Sequence, residues 1–252
     1  MEHLDQVALF HIATMLDLDN LLSLCSSNSR FNRLICQQNH IWIYKLENEF
    51  PDWKQHFNGK PVRKVYSLLV KLSKLKKWME YSKSIYQLFQ QTKLDLSNKG
   101  IKTLPPEIGS LSNLQGLSLY NNRIETLPPE IGLLSNLSTL SLSKNQIKTL
   151  PPEIGLLRNL SGLSLNKNKI KTIPPEIGSL SKLQYLYLNN NQIETLPPEI
   201  GLLTNLQTLY LNNNKIETLP SEIGSLINLR VLFLDKKVTN VPNNLKNVVR
   251  YQ

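Results

Sequence analysis

The chain has 252 residues, of which 40% are hydrophobic, and a formal net charge of +10 at pH 7. That length suffices for one large or two small cored units, and no run approaches the ~18 consecutive apolar residues of a membrane span. Twelve basic and eight acidic residues fall in 1–90, and seventeen and eleven in 91–252, so the excess is spread out and makes no concentrated nucleic-acid footprint.

The start, Met1-Glu2-His3-Leu4-Asp5, is acidic and lacks the basic opening and apolar stretch of a secretion signal. A cytoplasmic or nuclear setting is expected. Leu4, Leu9, Ile12 and Leu16 then share one face of a helix, with Asp5 as its N-cap. Asp19 is placed to cap a second short helix carrying Leu21, Leu22 and Leu24. Ser27 or Asn28 caps a third with Phe31, Leu34 and Ile35, and Asn39 opens a fourth with Trp42 and Leu46 that ends by Pro51. A bundle of about 45 residues is small for independent stability and calls for a partner or for the adjoining helices. Cys25 and Cys36 lie within it. In a cytosolic setting a reduced, buried pair is expected, and a zinc site would need further ligands at short spacing.

The segment LDQVALFHIATMLDLDNLLSLCSSNSRFNRLICQQNHIW resembles an F-box. The positions that carry the resemblance are Leu4, Leu9, Ile12, Leu16, Leu21, Leu22, Arg30-Phe31, Leu34 and Trp42. It departs from the family pattern at Asp5, where proline is usual, and at Phe31, where tryptophan is common. The resemblance implies docking onto the Skp-type adaptor of a cullin–RING ubiquitin ligase, through the helical face bearing Leu4, Leu9, Ile12, Leu16, Leu21 and Leu22. It also implies that a repeat domain behind the bundle holds a protein substrate. Similar segments occur in proteins of large DNA viruses, for which the setting would be the host cytoplasm.

Residues 61–79 read as a longer helix. Val65, Leu68, Leu69, Leu72 and Leu75 form one stripe, with Lys64, Lys71, Lys74 and Lys77 off it. The stripe is expected to pack on the bundle or on the first coil of the repeat array rather than on a membrane, and IYQLF at 85–89 is expected to cover an exposed sheet edge.

From residue 91 the sequence repeats itself. Anchor leucines stand at 114, 137, 160, 183, 206 and 229, and each unit follows LxxLxLxxNxIxxLPPEIGxLxx. Six such units at 91–228 resemble leucine-rich repeats, and 229–252 reads as a degenerate seventh unit with a C-terminal cap. In LSGLSLNKN, Leu160, Leu163 and Leu165 point inward along a short strand. Asn122, Asn145, Asn168, Asn191 and Asn214 are placed to form a ladder that satisfies backbone groups at the bend. The Pro-Pro pair suits an extended segment on the outer face. One coil buries too little to offset its own ordering, so the coils must stack. The expected fold is an α/β repeat: a solenoid with a parallel sheet of seven strands on a concave face roughly 30 Å long, after a small all-α bundle at 1–50 and a helical linker and cap at 51–90.

The outward strand positions read as columns. The central one is Asp95, Ser118, Ser141, Ser164, Tyr187, Tyr210 and Phe233. Small polar residues fill the N-terminal half, whereas Tyr185, Tyr187, Tyr210 and Phe233, with Arg230 close by in sequence, form an aromatic cluster suited to holding a protein partner. The alternating Glu and Lys at 102, 125, 148, 171, 194 and 217 read as a solvated edge.

No catalytic constellation is legible. The four histidines all precede the repeats without a nucleophile and carboxylate in pattern, and there is no phosphate-binding glycine loop. Neither cofactor nor metal is expected. The expectation is a non-catalytic, monomeric substrate receptor. The alternative is a scaffold whose repeats bind a signalling protein such as a small GTPase or phosphatase. An extracellular fragment would gain only the glycosylation motifs at Asn136 and Asn159.

Overall fold

The structure is a computed structural model, and it describes residues 4–251. Met1 to His3, on which the reading of the chain's start partly rests, lie outside the described residues. The chain divides into two compact units between Leu88 and Phe89. Of the segment at 51–90, read from sequence as a helical linker and cap, residues 51–88 therefore group with the bundle.

In the first unit, α1 (Gln6–Met15) begins where the Asp5 carboxylate accepts the Ala8 N–H at 2.8 Å. α2 (Leu18–Ser27) is capped by Asp17, which accepts from the Asn20 N–H at 2.8 Å, and not by Asp19. The helix starts earlier than expected because Leu18 is itself a core residue, in register with Leu21 and Cys25. Asp19 instead lies in the first turn and pairs with Lys74 at 2.8 Å. Asn28 caps α3 (Ser29–Phe31) by accepting from Phe31 N–H.

α3 runs directly into a π-helical turn, Asn32–Cys36, closed by Gln37 N–H donating to the Asn32 carbonyl at 2.8 Å. The wider turn shifts the register. Ile35 and Cys36 are buried and Leu34 is left half-exposed. α4 (Asn39–Glu49) buries Ile41, Trp42 and Leu46, and the Trp42 indole donates to the Cys36 carbonyl at 2.9 Å. Lys45 is 4% exposed, and its ammonium donates to the Leu16 and Thr14 carbonyls at 2.6 and 3.3 Å. A buried cation thus satisfies the C-terminal carbonyls of α1, where the helix dipole favours it.

α5 (Trp53–Phe57) and α6 (Val62–Trp78) complete the core. The α6 stripe of Val65, Leu69, Leu72 and Leu75 is buried together with Tyr66, whose ring lies 5.8 Å from that of Trp42 and whose hydroxyl donates to Glu49 at 2.7 Å. The stripe is a packing face on α4, and the lysines at 64, 71, 74 and 77 are exposed. Tyr86 of α7 (Ile85–Phe89) stacks on His56 at 4.1 Å. Among the described residues no helix is long and apolar enough to cross a membrane.

The expected reduced cysteine pair is a disulfide: Cys25 and Cys36 are bonded, with Cα atoms 6.0 Å apart. Inference from compartment alone could not see that the end of α2 and the π-helical turn bring the two residues within disulfide span. The double variant Cys25→Ser, Cys36→Ser is expected to destabilise the helical unit by about 3 kcal/mol. All three tryptophans, Trp42, Trp53 and Trp78, lie in this unit, so urea unfolding followed by tryptophan fluorescence reads it selectively. An unchanged midpoint would show that the bond constrains little.

The second unit is a single sheet of eight parallel strands in chain order. These are β1 (Lys93–Asp95), β2 (Gly116–Ser118), β3 (Thr139–Ser141), β4 (Gly162–Ser164), β5 (Tyr185–Tyr187), β6 (Thr208–Tyr210), β7 (Val231–Leu234) and β8 (Val249–Tyr251). Seven strands were expected. The eighth arises because the tail makes a shortened coil, Asn243–Val248, that returns Val249 opposite Leu232 and buries Leu245.

Between strands, each of the six full coils makes a 3-10 turn such as Pro152–Leu156 or Pro175–Ser179. In the five Pro-Pro coils the first proline is extended, as a residue before proline must be, and the second opens the turn. Ile154 and Ile177 enter the core from these turns fully buried.

Candidate partner-binding surface

The backbone that presents the concave face is held by the buried asparagines. The Asn168 amide donates to the carbonyls of Leu142 and Leu165 at 3.0 and 2.9 Å, and its Oδ1 accepts from Ile147 N–H at 3.0 Å. Asn145, Asn191 and Asn214 repeat this set, and Asn122 serves the first coil through Lys99 and Ile101 N–H. The last coil has Lys237 at this place, and Asp235 accepts from Asn213 and Asn214 N–H at 2.8 and 3.2 Å, bonds that backbone carbonyls of the next coil make for Asn190 and Asn191.

A second ladder escaped the sequence reading. Asn136, Asn159, Asn205 and Asn228 each donate to a carbonyl of the preceding coil, Asn136 to Ser112 at 2.8 Å, and Asn113 donates to the Phe89 carbonyl at the end of α7. The signal was the same 23-residue spacing, broken only at Lys182. The two glycosylation-motif asparagines, Asn136 and Asn159, are members of this ladder.

Strand register puts Tyr187 opposite Tyr210, and Tyr210 opposite Phe233. The rings stack as a column: Tyr187 meets Tyr210 edge-on at 5.1 Å, and Tyr210 meets Phe233 at 4.6 Å. Tyr185 stands beside them, 39% exposed. Burial raises the pKa of the Tyr187 hydroxyl, with Tyr210 and Tyr185 adding to the effect. Arg230 is exposed just before β7, and among the described residues no cation–π contact joins it to the rings.

N-terminal to the rings lies a trough of about 650 Å³. Its floor is Gly116, Ser118, Thr139, Ser141, Gly162 and Ser164, closed by Tyr185 and Tyr187 at one end and by Lys93 and Asp95 at the other. Hydrogen bonding from Ser97 holds Asp95 below the usual carboxylate range, which leaves a fixed negative charge there. A rigid sheet offering aromatic rings beside a small-residue trough can receive the bulky side chains of another chain without rearranging.

The helical unit has a surface of its own. Of the six residues read as adaptor contacts, Leu9 and Leu21 are 1% and 0% exposed and belong to the bundle core. Leu4, Ile12, Leu16 and Leu22 are half-buried. Val7 and Met15 on α1 are instead 77% and 73% exposed. Val7 borders an apolar groove of about 390 Å³, shared with Phe10, Leu34, Ile35 and Ile41. Among the described residues of the helical unit the face is unpartnered, and it is of the kind that takes an amphipathic helix. Among the described residues no cluster of three or more His, Cys, Asp or Glu is placed to hold a metal ion.

The leucine-rich-repeat family model matches residues 92–147 and 135–193, and the leucine-rich-repeat-region model matches 175–251. No curated protein matches the chain. Among solved structures, a leucine-rich-repeat protein of Leptospira interrogans is 37% identical over 66% of this chain and 48% of its own, with a TM-score of 0.53. An internalin of Listeria monocytogenes is 26% identical over 59% and 44%, with a TM-score of 0.50. A plant peptide hormone receptor, RGFR1, solved in complex with RGF2, is 32% identical over 67% and 29%, with a TM-score of 0.58. The chain thus spans less than half the length of each of these proteins. The 23-residue period and the eight-stranded parallel sheet agree with these matches. The chain belongs to the leucine-rich-repeat family, with residues 92–251 forming the solenoid, an architecture that generally serves protein–protein interaction.

Proposed function

We propose that the chain is a non-catalytic substrate receptor: its helical unit docks the Skp-type adaptor of a cullin–RING ubiquitin ligase, and its repeats hold the protein to be modified. The observation that carries this reading is the unpartnered apolar face of α1 and its groove, with Val7 and Met15 exposed, on a unit whose sequence resembles an F-box. Short helices capped by Asp5, Asp17 and Asn28 suit that family's compact bundle. The aromatic column and trough supply the substrate side. The half-buried Ile12, Leu16 and Leu22 would border the docking face, while Leu9 and Leu21 would shape it from within.

Burial decides which variants are informative. Aspartate at Leu9 would unfold the bundle, whereas Val7→Asp and Met15→Asp act on side chains already in water. Together they are expected to weaken adaptor capture at least thirtyfold, equivalent to about 2 kcal/mol at an interface anchor, with the far-ultraviolet spectrum unchanged. Co-purification with the adaptor reads the result. A wild-type chain that captures no adaptor, while still retaining partners through its repeats, would favour a scaffold that binds a signalling protein instead.

A further inference from the structure

A separate feature lies on the edge of the solenoid, where the chain leaves the strands. Six coils place one residue there in the left-handed region, with φ between 54° and 61°. Four of these residues are asparagine: Asn98, Asn121, Asn190 and Asn213. Asparagine tolerates this conformation, and here it also bonds between coils, Asn121 to Asn98 at 2.7 Å and Asn213 to Asn190 at 3.2 Å. The two middle coils carry Lys144 and Lys167 instead. Lysine is disfavoured at positive φ and forgoes the side-chain bond. Fold alone therefore does not account for these two residues.

The same coils concentrate charge. Across positions 144, 146, 148, 167, 169 and 171, five residues are lysine and none is acidic, and Glu125 and Glu194 bound the run on either side. Lys148 pairs with Glu125 at 2.8 Å, Lys169 bonds Gln146 at 3.0 Å, and the Lys144 ammonium lies over the Tyr120 ring at 5.1 Å. Among the described residues no hydrogen bond or ion pair engages the ammonium groups of Lys167 and Lys171, and both side chains are exposed.

Size narrows the partner. Neighbouring coils are ~4.8 Å apart, so two coils and their flanks present a strip about 10 Å wide. An extended peptide covers that width with about three residues at ~3.3 Å each. A nucleic acid would need positive charge along much more of the array, and here the sign reverses at Glu194. We propose that the Lys144–Lys167 edge is a docking site for a short acidic segment of a protein partner, with several carboxylates in succession. This surface is distinct from the aromatic concave face and does not depend on the adaptor reading.

The test uses the full chain and a fluorescein-labelled peptide containing four consecutive glutamates, followed by anisotropy at low and at physiological salt. The double variant Lys144→Asn, Lys167→Asn installs the residue that four other coils use at the same φ. It is expected to fold with an unchanged or raised Tm and to bind the peptide roughly three- to tenfold more weakly. Lys215→Asn, two coils away, is expected to change binding less than about twofold. The proposal is overturned if the wild type does not bind the peptide or if the double variant binds as well as the wild type. It is equally overturned if a single-stranded oligonucleotide of equal charge binds more tightly than the peptide.

Discussion

Asn168→Ala is expected to destabilise the repeat array by about 4 kcal/mol and to split its unfolding into two steps. Three backbone groups bond to this amide: the carbonyls of Leu142 and Leu165, which also accept from Asn145 and Asn191, and the N–H of Ile147, which donates to the Asn168 Oδ1. Leaving the Ile147 N–H without its acceptor costs about 1–3 kcal/mol, and each lost bond to a carbonyl that keeps its second donor about 0.5–1.5 kcal/mol. Because a solenoid is held by nearest-neighbour contacts, weakening one central junction separates the coils on either side of it. Urea unfolding followed by circular dichroism reads both effects. Asn190→Gly, which removes one edge bond to Asn213 without straining a backbone at φ 57°, is the comparison and should cost below about 1 kcal/mol. Equal losses in the two variants would mean that the buried ladder has no special weight.

Gly155→Ala should be nearly as damaging, at about 3 kcal/mol, while Gly162→Ala should be almost neutral. A Cβ at Gly155 would stand 2.6 Å from the Glu176 carbonyl oxygen and 2.9 Å from its Cβ. The obstacle is backbone of the next coil, so the turns must move apart. At Gly162 the nearest atom is Thr139 Cγ2 at 3.8 Å, an ordinary contact. There alanine also lowers the freedom of the unfolded chain. Matching losses at the two positions, measured by thermal unfolding, would show that the coils yield where the geometry says they cannot.

The solenoid was legible because its information is redundant. One period of 23 residues sets the strand, the turn and the inward leucines together, and each copy confirms the last. The register of Tyr187 opposite Tyr210 follows directly from it. The ends were less legible since they have no copy to compare. Asp235 standing in for backbone acceptors and β8 pairing with β7 depend on how the last coil shortens.

The helical unit was read correctly at two of its helix caps, misread at α2, where Asp17 and not Asp19 is the cap, and missed where the cause is tertiary. Asp5 and Asn28 cap as their types predict. The buried Lys45 depends on α1 and α4 meeting in space, and the Cys25–Cys36 bond on α2 meeting the π-helical turn, which itself has no pattern of residue types to announce it. Leu9 and Leu21 show a deeper limit. A helical stripe of leucines has the same spacing whether it faces its own core or a partner, and only burial separates Leu9 from Val7. On the aromatic side, period and side-chain type together brought Tyr185, Tyr187, Tyr210 and Phe233 to one surface. Arg230, grouped with them by proximity in sequence, makes no cation–π contact with the rings among the described residues.

The most direct test of a two-surface receptor is paired capture by the full chain. Each variant is assayed both for the Skp-type adaptor and for proteins retained by the repeats. Val7→Asp with Met15→Asp should lose the adaptor and keep the retained proteins, and Tyr187→Ala with Tyr210→Ala should do the reverse. A wild-type chain that never captures the adaptor, or aromatic variants that retain every protein the wild type does, would contradict the assignment of the two surfaces.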